Sequence, residues 1–309
     1  MPIFERRSPS VDVNRLKLWV YGPPKSGKSS LFSGMKDAVY LDFDAGLGAL
    51  DVVATPVITD WAMAGKAYLE LREQVKDGGG PRTVIIDTVD AAYDMICGEV
   101  LAEANAPRVA KGQSPLRHIS DMPYGAGWFL ARQKLEKWLN ALYELGCGVY
   151  MISHTKDEER DLPSGLSLTR TIPAMGGRAA DVLGGWVDAL MYLTTAASTT
   201  GKVDLGPDGQ AGKKQSKSQR SRDEEEVRFA GVEYVLYTHA SPYLLAGGRY
   251  MSALPPVIRL APPPEGWSQI VRLLESAFSA PEKKAETEPV APMDSGNLGT
   301  PFEEEEERC

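Results

Sequence analysis

The chain has 309 residues, is 43% apolar and carries a formal charge of -8 at pH 7. That length and apolar content allow a substantial core, and one domain with ragged ends accounts for it best. The three cysteines, Cys97, Cys147 and Cys309, are too scattered for a disulfide framework or a zinc site, which suits a reducing cytosol. Cys97 and Cys147 read as small buried hydrophobes. No apolar run reaches the roughly 18 residues of a membrane span, and "MPIFERRSPS" has no hydrophobic signal core, so a cytoplasmic chain without a membrane partner is expected.

The negative charge is unevenly placed. From Pro281 to Cys309 there are nine acids (Glu282, Glu286, Glu288, Asp294 and Glu303 to Glu307) against three bases (Lys283, Lys284 and Arg308), which leaves -6 there and only -2 on residues 1–280. A polyanionic partner for the body is therefore not excluded by charge. Residues 1–15 read as an arm, 16–280 as the folded domain, and 281–309 as a disordered acidic tail with too few apolar residues to fold.

After the arm, "LKLWVYG" is a short apolar run closed by glycine, a buried strand leading into a loop. A helix is expected from about Gly27. A second strand covers Ala38 to Asp44, a helical stretch follows around "WAMAGKAYLELREQV", and a "DGGGP" break precedes a third strand over Thr83 to Asp90. Strand, helix, strand in that order implies a parallel sheet flanked by helices, an α/β fold. Between Gly127 and Leu145, the residues Trp128, Leu135, Trp138, Leu139, Leu142 and Leu145 recur at spacings of three and four, the core stripe of a long helix. "CGVYMISH" is a fourth strand. It runs into a hydrophilic stretch, residues 155–175, that is too long for an ordinary connector and reads as a mobile loop. "VDALMYLTT", a charged tip over 201–226, and "GVEYVLYTHA" with "PYLLAGG" read as a C-terminal hairpin region with a disordered tip. "EGWSQIVRLLESAF" places Ile270, Leu273, Leu274 and Phe278 at helical spacing as a closing helix.

"GPPKSGKS" fits G-x-x-x-x-G-K-[ST] and lies between an apolar strand and a probable helix start, the context that the phosphate-binding loop requires. Gly22, Pro23, Pro24, Lys25, Ser26, Gly27, Lys28, Ser29 and Ser30 are the expected nucleotide contacts. Glycines let backbone N–H groups curl round phosphates, Lys28 neutralises terminal oxygens, and Ser29 holds Mg²⁺. A second group on the metal side should be an acid at the end of a neighbouring strand, and "VIIDT" supplies Asp87. Orientation of an attacking water needs a further acid. Asp42 and Asp44 both qualify, and strand alternation puts them on one face, so spacing does not choose between them.

Taken together, "YGPPKSGKSS" resembles the RecA form of the loop, "LDFDAGLGALD" resembles the RecA motif in which a Glu activates water, and "VIIDTVDA" resembles its Walker B strand at Asp87. The resemblance puts Asp44 at the Glu position, where the shorter side chain is a departure that implies slow hydrolysis or a water relay. "MISH" falls at the family's γ-phosphate sensor, which makes His154 the sensor and the segment after it the second DNA loop, with Lys156, Arg160 and Arg170 as phosphate contacts. More closely, the chain is similar to the core-only RecA-like ATPases of bacteriophages, through "YGAGW" before the long helix, the strand ending in Ser-His and the late element "AGGRYMSALPP". Family members usually carry a Lys two residues before the Arg of that element, and here that position is Gly247. The resemblance implies that Arg249 reaches the γ-phosphate bound by a neighbouring subunit. It spans roughly Lys17 to Phe278.

The tip "GKKQSKSQRSR" adds Lys213, Lys214, Lys217, Arg220 and Arg222 as candidate contacts to a phosphate backbone, although "DEEE" follows at once. The resulting expectation is a RecA-like P-loop domain, oligomeric with sites between subunits, that uses ATP and Mg²⁺ to control binding of single-stranded DNA in phage recombination or annealing. It would act beside a single-strand-binding protein. A hexameric helicase-like motor and a nucleotide-gated DNA adaptor with negligible hydrolysis are the alternatives.

Overall fold

Lys17–Tyr21 forms strand β1, and its apolar side chains alternate between two cores. Trwo opposed faces result: Trp19 points to one side of the sheet, and Leu18 and Val20 to the other. The computed structural model in which this is seen describes residues 10–161, 165, 167–176, 178–200 and 228–279. The expected basic tip with Lys213, Lys214, Lys217, Arg220 and Arg222, and the acidic tail with Cys309, lie outside the described residues.

The remaining elements follow in chain order. They are α1 (Lys28–Leu31), β2 (Ala38–Asp42), α2 (Trp61–Lys76), β3 (Thr83–Asp87), α3 (Val89–Ala110), α4 (Ala126–Glu144), β4 (Gly148–Ser153), β5 (Thr155–Asp161), β6 (Ser167–Pro173), α5 (Ala179–Trp186), β7 (Ala189–Thr200), β8 (Arg228–Tyr237), β9 (Gly247–Gly248), β10 (Val257–Leu260) and α6 (Glu265–Ser279). The main sheet runs β10-β8-β7-β1-β4-β3-β2, with β9 on β7. From β7 to β2 the pairings are parallel, while β8 and β10 join antiparallel. The fold is therefore a mixed α/β P-loop core with a mostly parallel sheet flanked by helices.

Both faces are covered, which is why the central strands read as continuous apolar runs. On one side, Trp19, Ile86 and Met151 pack with Ile96 of α3 and with Leu135, Leu139 and Leu142 of α4. On the other, Val20, Ile85 and Ile152 meet Phe32, Trp267 and the Ile270 and Leu274 side chains of α6. Phe32, Tyr150 and Trp267 stack edge to face with centroids 5.1 to 5.4 Å apart.

Several boundaries differ from the sequence reading. Helix α1 has only four residues. Strand β2 stops at Asp42, and Ala45 turns the chain with a positive φ of 55°. Strand β3 ends at Asp87, and Thr88 caps a 22-residue helix by accepting a hydrogen bond from the Ala91 amide. That helix, α3, was hidden because "TVIIDTVD" reads as one strand. Residues 155–175, expected as a mobile loop, contain an antiparallel hairpin in which Lys156 faces Ile172, Glu158 faces Arg170 and Arg160 faces Leu168. On β6 that face is partly covered, since Ile172 is buried and Leu168 and Arg170 are half-buried while Ser167 and Thr169 are exposed, whereas on β5 Lys156, Glu158 and Arg160 are exposed. The opposite face carries Asp157, Glu159 and Asp161, and the Thr171 and Ser167 hydroxyls donate to Asp157 and Asp161.

Leu139 is fully buried between α4 and the sheet. Leu139→Ala should lower unfolding free energy by about 2 to 5 kcal/mol, read as a reduced urea midpoint at unchanged denaturant dependence.

Candidate functional site

The loop between β1 and α1 closes over two glycines that the backbone demands. A Cβ on Gly22 would lie 2.0 Å from the Leu193 carbonyl oxygen, and Gly27 has φ 84° with the Tyr234 ring 2.9 Å from where its Cβ would be. Lys25 also takes a left-handed φ of 64°. Pro24 and Lys25 are exposed and Pro23, Ser29 and Ser30 half-buried, whereas Gly22, Ser26 and Lys28 are buried. With α1 a single turn, an anion here would rely on the loop's own N–H groups more than on a helix dipole. The Lys28 ammonium donates to the carbonyls of Gly22 and Pro23 at 3.0 and 2.9 Å. Burial pushes its pKa down, against the pull of Asp87, Asp90 and Asp44.

Asp87 ends β3 beside this loop, 4% exposed as a residue and with Oδ2 lacking a hydrogen-bond partner among the described residues. Burial lifts its pKa to about 6; hydrogen bonding from Ser29 and the charge of Lys28 oppose that rise, and Asp42 and Asp44 add to it. A buried, partnerless carboxylate oxygen next to a hydroxyl is a donor set that fits Mg²⁺. The described residues contain no cluster of three or more His, Cys, Asp or Glu able to hold a metal. A divalent ion at Ser29 and Asp87 would thus need phosphate oxygens or water as further ligands.

The structure separates the two acids that the sequence left equivalent. Asp42 is buried and its Oδ1 accepts from the Asp44 amide at 3.2 Å. Asp44, past the strand end and half exposed, has Oδ2 3.8 Å from Nε2 of His154. On its other side, His154 Nδ1 is 2.8 Å from Asp90 Oδ2. Since a carboxylate only accepts, Nδ1 carries the proton and the ring orientation is fixed. Asp90 was missed because it lay in what read as a strand. In the first turn of α3 it faces the end of β4 instead.

His154 is joined to its surroundings through the backbone as well. The Gly22 amide donates to the Ser153 carbonyl at 3.3 Å, Trp19 Nε1 donates to Ser153 Oγ at 2.8 Å, and the Ala174 amide closes the β5-β6 hairpin on the His154 carbonyl at 2.9 Å. Lys156 spends its ammonium on the Met175 carbonyl at 2.7 Å, and Arg160 is exposed. Arg170 Nε is buried and has no partner among the described residues.

Arg249 is not brought to this site. It donates from Nη1 to Asp188 Oδ1 at 2.6 Å, and Asp188 Oδ2 accepts from the Lys17 amide. Lys17 begins β1 and the loop follows its end, so Arg249 lies at the opposite end of β1 from Lys28. Its guanidinium side chain is two-thirds exposed.

A family model described as an AAA domain matches residues 14–250. The chain belongs to this AAA family. The match runs from before β1 through β9 and takes in the loop at Lys28, Asp87 and His154. Membership of the AAA family carries nucleotide binding and an ATPase-type activity with it. A search of curated proteins finds no match. Among the described residues of this AAA chain, no helix is long and apolar enough to cross a membrane.

A folded carboxyl that keeps its proton up to about pH 6, where an unfolded one ionises near pH 4, loses stability as pH rises through that window. In chelator and without nucleotide, Asp87→Asn should therefore exceed the wild type in unfolding free energy by up to about 3 kcal/mol near neutral pH. The difference should vanish at about pH 4, as read from urea unfolding at both pH values.

Proposed function

We propose that this AAA chain uses ATP and Mg²⁺ to control a grip on single-stranded DNA, as a RecA-like recombination or annealing protein of the phage type. The observation that carries the reading is the position of His154. One residue joins the acids beside the phosphate loop, Asp44 and Asp90, to the base of an arginine- and lysine-bearing hairpin. A change at the nucleotide's terminal phosphate is thereby felt by a segment that carries two exposed bases, Lys156 and Arg160.

In this mechanism the loop amides and Lys28 bind the phosphates, drawing the ammonium off the Gly22 and Pro23 carbonyls. Ser29 and Asp87 would hold Mg²⁺, which would neutralise charge on the phosphate oxygens. Asp44, exposed and acidic, orients the water. Asp90 keeps His154 in one tautomer with Nε2 directed at Asp44, so that loss of the terminal phosphate alters the His154 environment and the hairpin behind it. Arg249, at the end of β1 away from its own phosphate loop, serves a neighbouring subunit's nucleotide, and Asp188 holds it until copies meet. This reading has the nucleotide sites between subunits, joined by a head-to-tail contact.

ATP turnover measured with and without single-stranded DNA tests the reading. Wild type should be stimulated by DNA, and Lys28→Ala should lose about 100-fold or more in turnover. Asp90→Asn should keep basal turnover within about threefold and lose most of the DNA response, because its role is to position His154. Turnover that is insensitive to DNA in the wild type would overturn the proposal.

A further inference from the structure

The direction in which a nucleotide would lie on the phosphate loop follows from the loop's surroundings. Asp44, Asp87, Asp90 and His154 stand at or just past the ends of β2, β3 and β4, all on one side of β1 in the sheet order. They mark the side where a terminal phosphate would sit. A nucleotide on the loop then sends its base the other way, toward β7, β8 and β10. Strand β8 is two places from β1 in the sheet, about 10 Å away at a spacing of about 4.8 Å.

That side of the loop carries an aromatic ring. From the point where a Cβ on Gly27 would stand, Tyr234 Cε1 is 2.9 Å away and Pro263 Cγ 3.5 Å. Tyr234 pairs with Leu260 of β10, and Pro262, Pro263 and Pro264 follow shortly after, before α6 begins. Pro264 in turn lies 3.0 Å from the Cβ position of Gly34, just past α1. Strand alternation sets Tyr234 on the face of Leu236, the face that Leu31 of α1 and Ile270 of α6 cover. Tyr234 and Pro263 are half-buried, and Pro262 and Pro264 are exposed. The ring and the prolines therefore border the loop without being sealed in the core.

The chemistry of this border suits a flat, neutral ring better than another phosphate. The ion pair of β8 and β10, Glu233 with Arg259 at 3.1 Å, lies on the opposite face of the sheet. Residues 261–265 also offer no free backbone N–H. The prolines have none, the Ala261 amide donates to Gln269 Oε1 at 2.9 Å, and the Glu265 amide donates to the Pro262 carbonyl at 3.1 Å. A base here meets ring faces, and this segment has no amide with which to read its edge. We propose that Tyr234 and Pro263 form the nucleobase slot of the phosphate loop, with the base stacked on the Tyr234 ring. The slot rests on the reading of the loop as a nucleotide site and is independent of DNA. It gives β8, antiparallel and outside the parallel core, a direct part in binding.

Calorimetric titration of the full chain with ATP, GTP and inorganic tripolyphosphate, each with Mg²⁺, tests the slot, because the last ligand has no base. Wild type should bind ATP more tightly than tripolyphosphate. Tyr234→Leu keeps an apolar group against Gly27 but has no ring. It should weaken ATP and GTP about tenfold each and leave tripolyphosphate within about twofold of wild type. Tyr234→Phe should bind both nucleotides as wild type does. Unchanged ATP affinity in Tyr234→Leu would overturn the proposal, and an equal loss for tripolyphosphate would overturn it by making Tyr234 a support of the loop. A loss confined to ATP would overturn the face-on contact. Wild type that holds tripolyphosphate as tightly as ATP would overturn the slot and leave the phosphate loop standing, whereas binding of none of the three would overturn the nucleotide reading itself.

Discussion

At Gly22 the Leu193 carbonyl of β7 occupies the place that a side chain would need, and the Gly22 amide reaches across to the Ser153 carbonyl of β4. The phosphate loop is therefore clamped between the two strands that flank β1, and it inherits their positions. Lys28, Ser29 and Asp87 come together because three parallel strands end at the same level, with Tyr21, Asp87 and Ser153 as their last residues. Any larger residue at position 22 would part β7 from β1 and move the loop away from the acids it serves.

The same level of the sheet assembles the acidic surroundings of the loop. Asp42, Asp44, Asp87 and Asp90 gather on the carboxyl ends of β2 and β3 and the start of α3, and Lys28 is the buried cation among them. Burial, helped by repulsion from Asp42 and Asp44, raises the Asp87 pKa, a cost to its ionised form that a bound cation would offset. Across the sheet, Asp188 performs a quieter task, fastening β1 through the Lys17 amide and Arg249 through its guanidinium.

Much of this could be read from the sequence where local chemistry is decisive. The loop motif needs particular glycines, the stripe of α4 follows from its period, and "VIIDT" names Asp87 because an acid at the end of a buried strand is costly without a partner. What could not be read depends on where strands stop. Two residues less in β2 separated Asp42 from Asp44, and an early end to β3 turned Asp90 into a helix residue facing His154. Contacts between distant segments were also beyond reach, as with Tyr234 against Gly27 and Asp188 with Arg249. Pattern reports periodicity within a segment, and these pairings are set by the tertiary fold.

The β5-β6 hairpin has Asp157, Glu159, Asp161 and hydroxyls on one side and Lys156, Glu158, Arg160, Arg170 and Ile172 on the other. Because side chains alternate strictly along a strand, removing a single residue from β5 would invert its pattern against β6. Asp157, Glu159 and Asp161 would then sit on the face of Leu168, Arg170 and Ile172, and Lys156, Glu158 and Arg160 on the opposite one. The hairpin should accordingly tolerate many substitutions at its exposed positions but very few insertions or deletions, so that length, more than identity, is the property its sequence must keep.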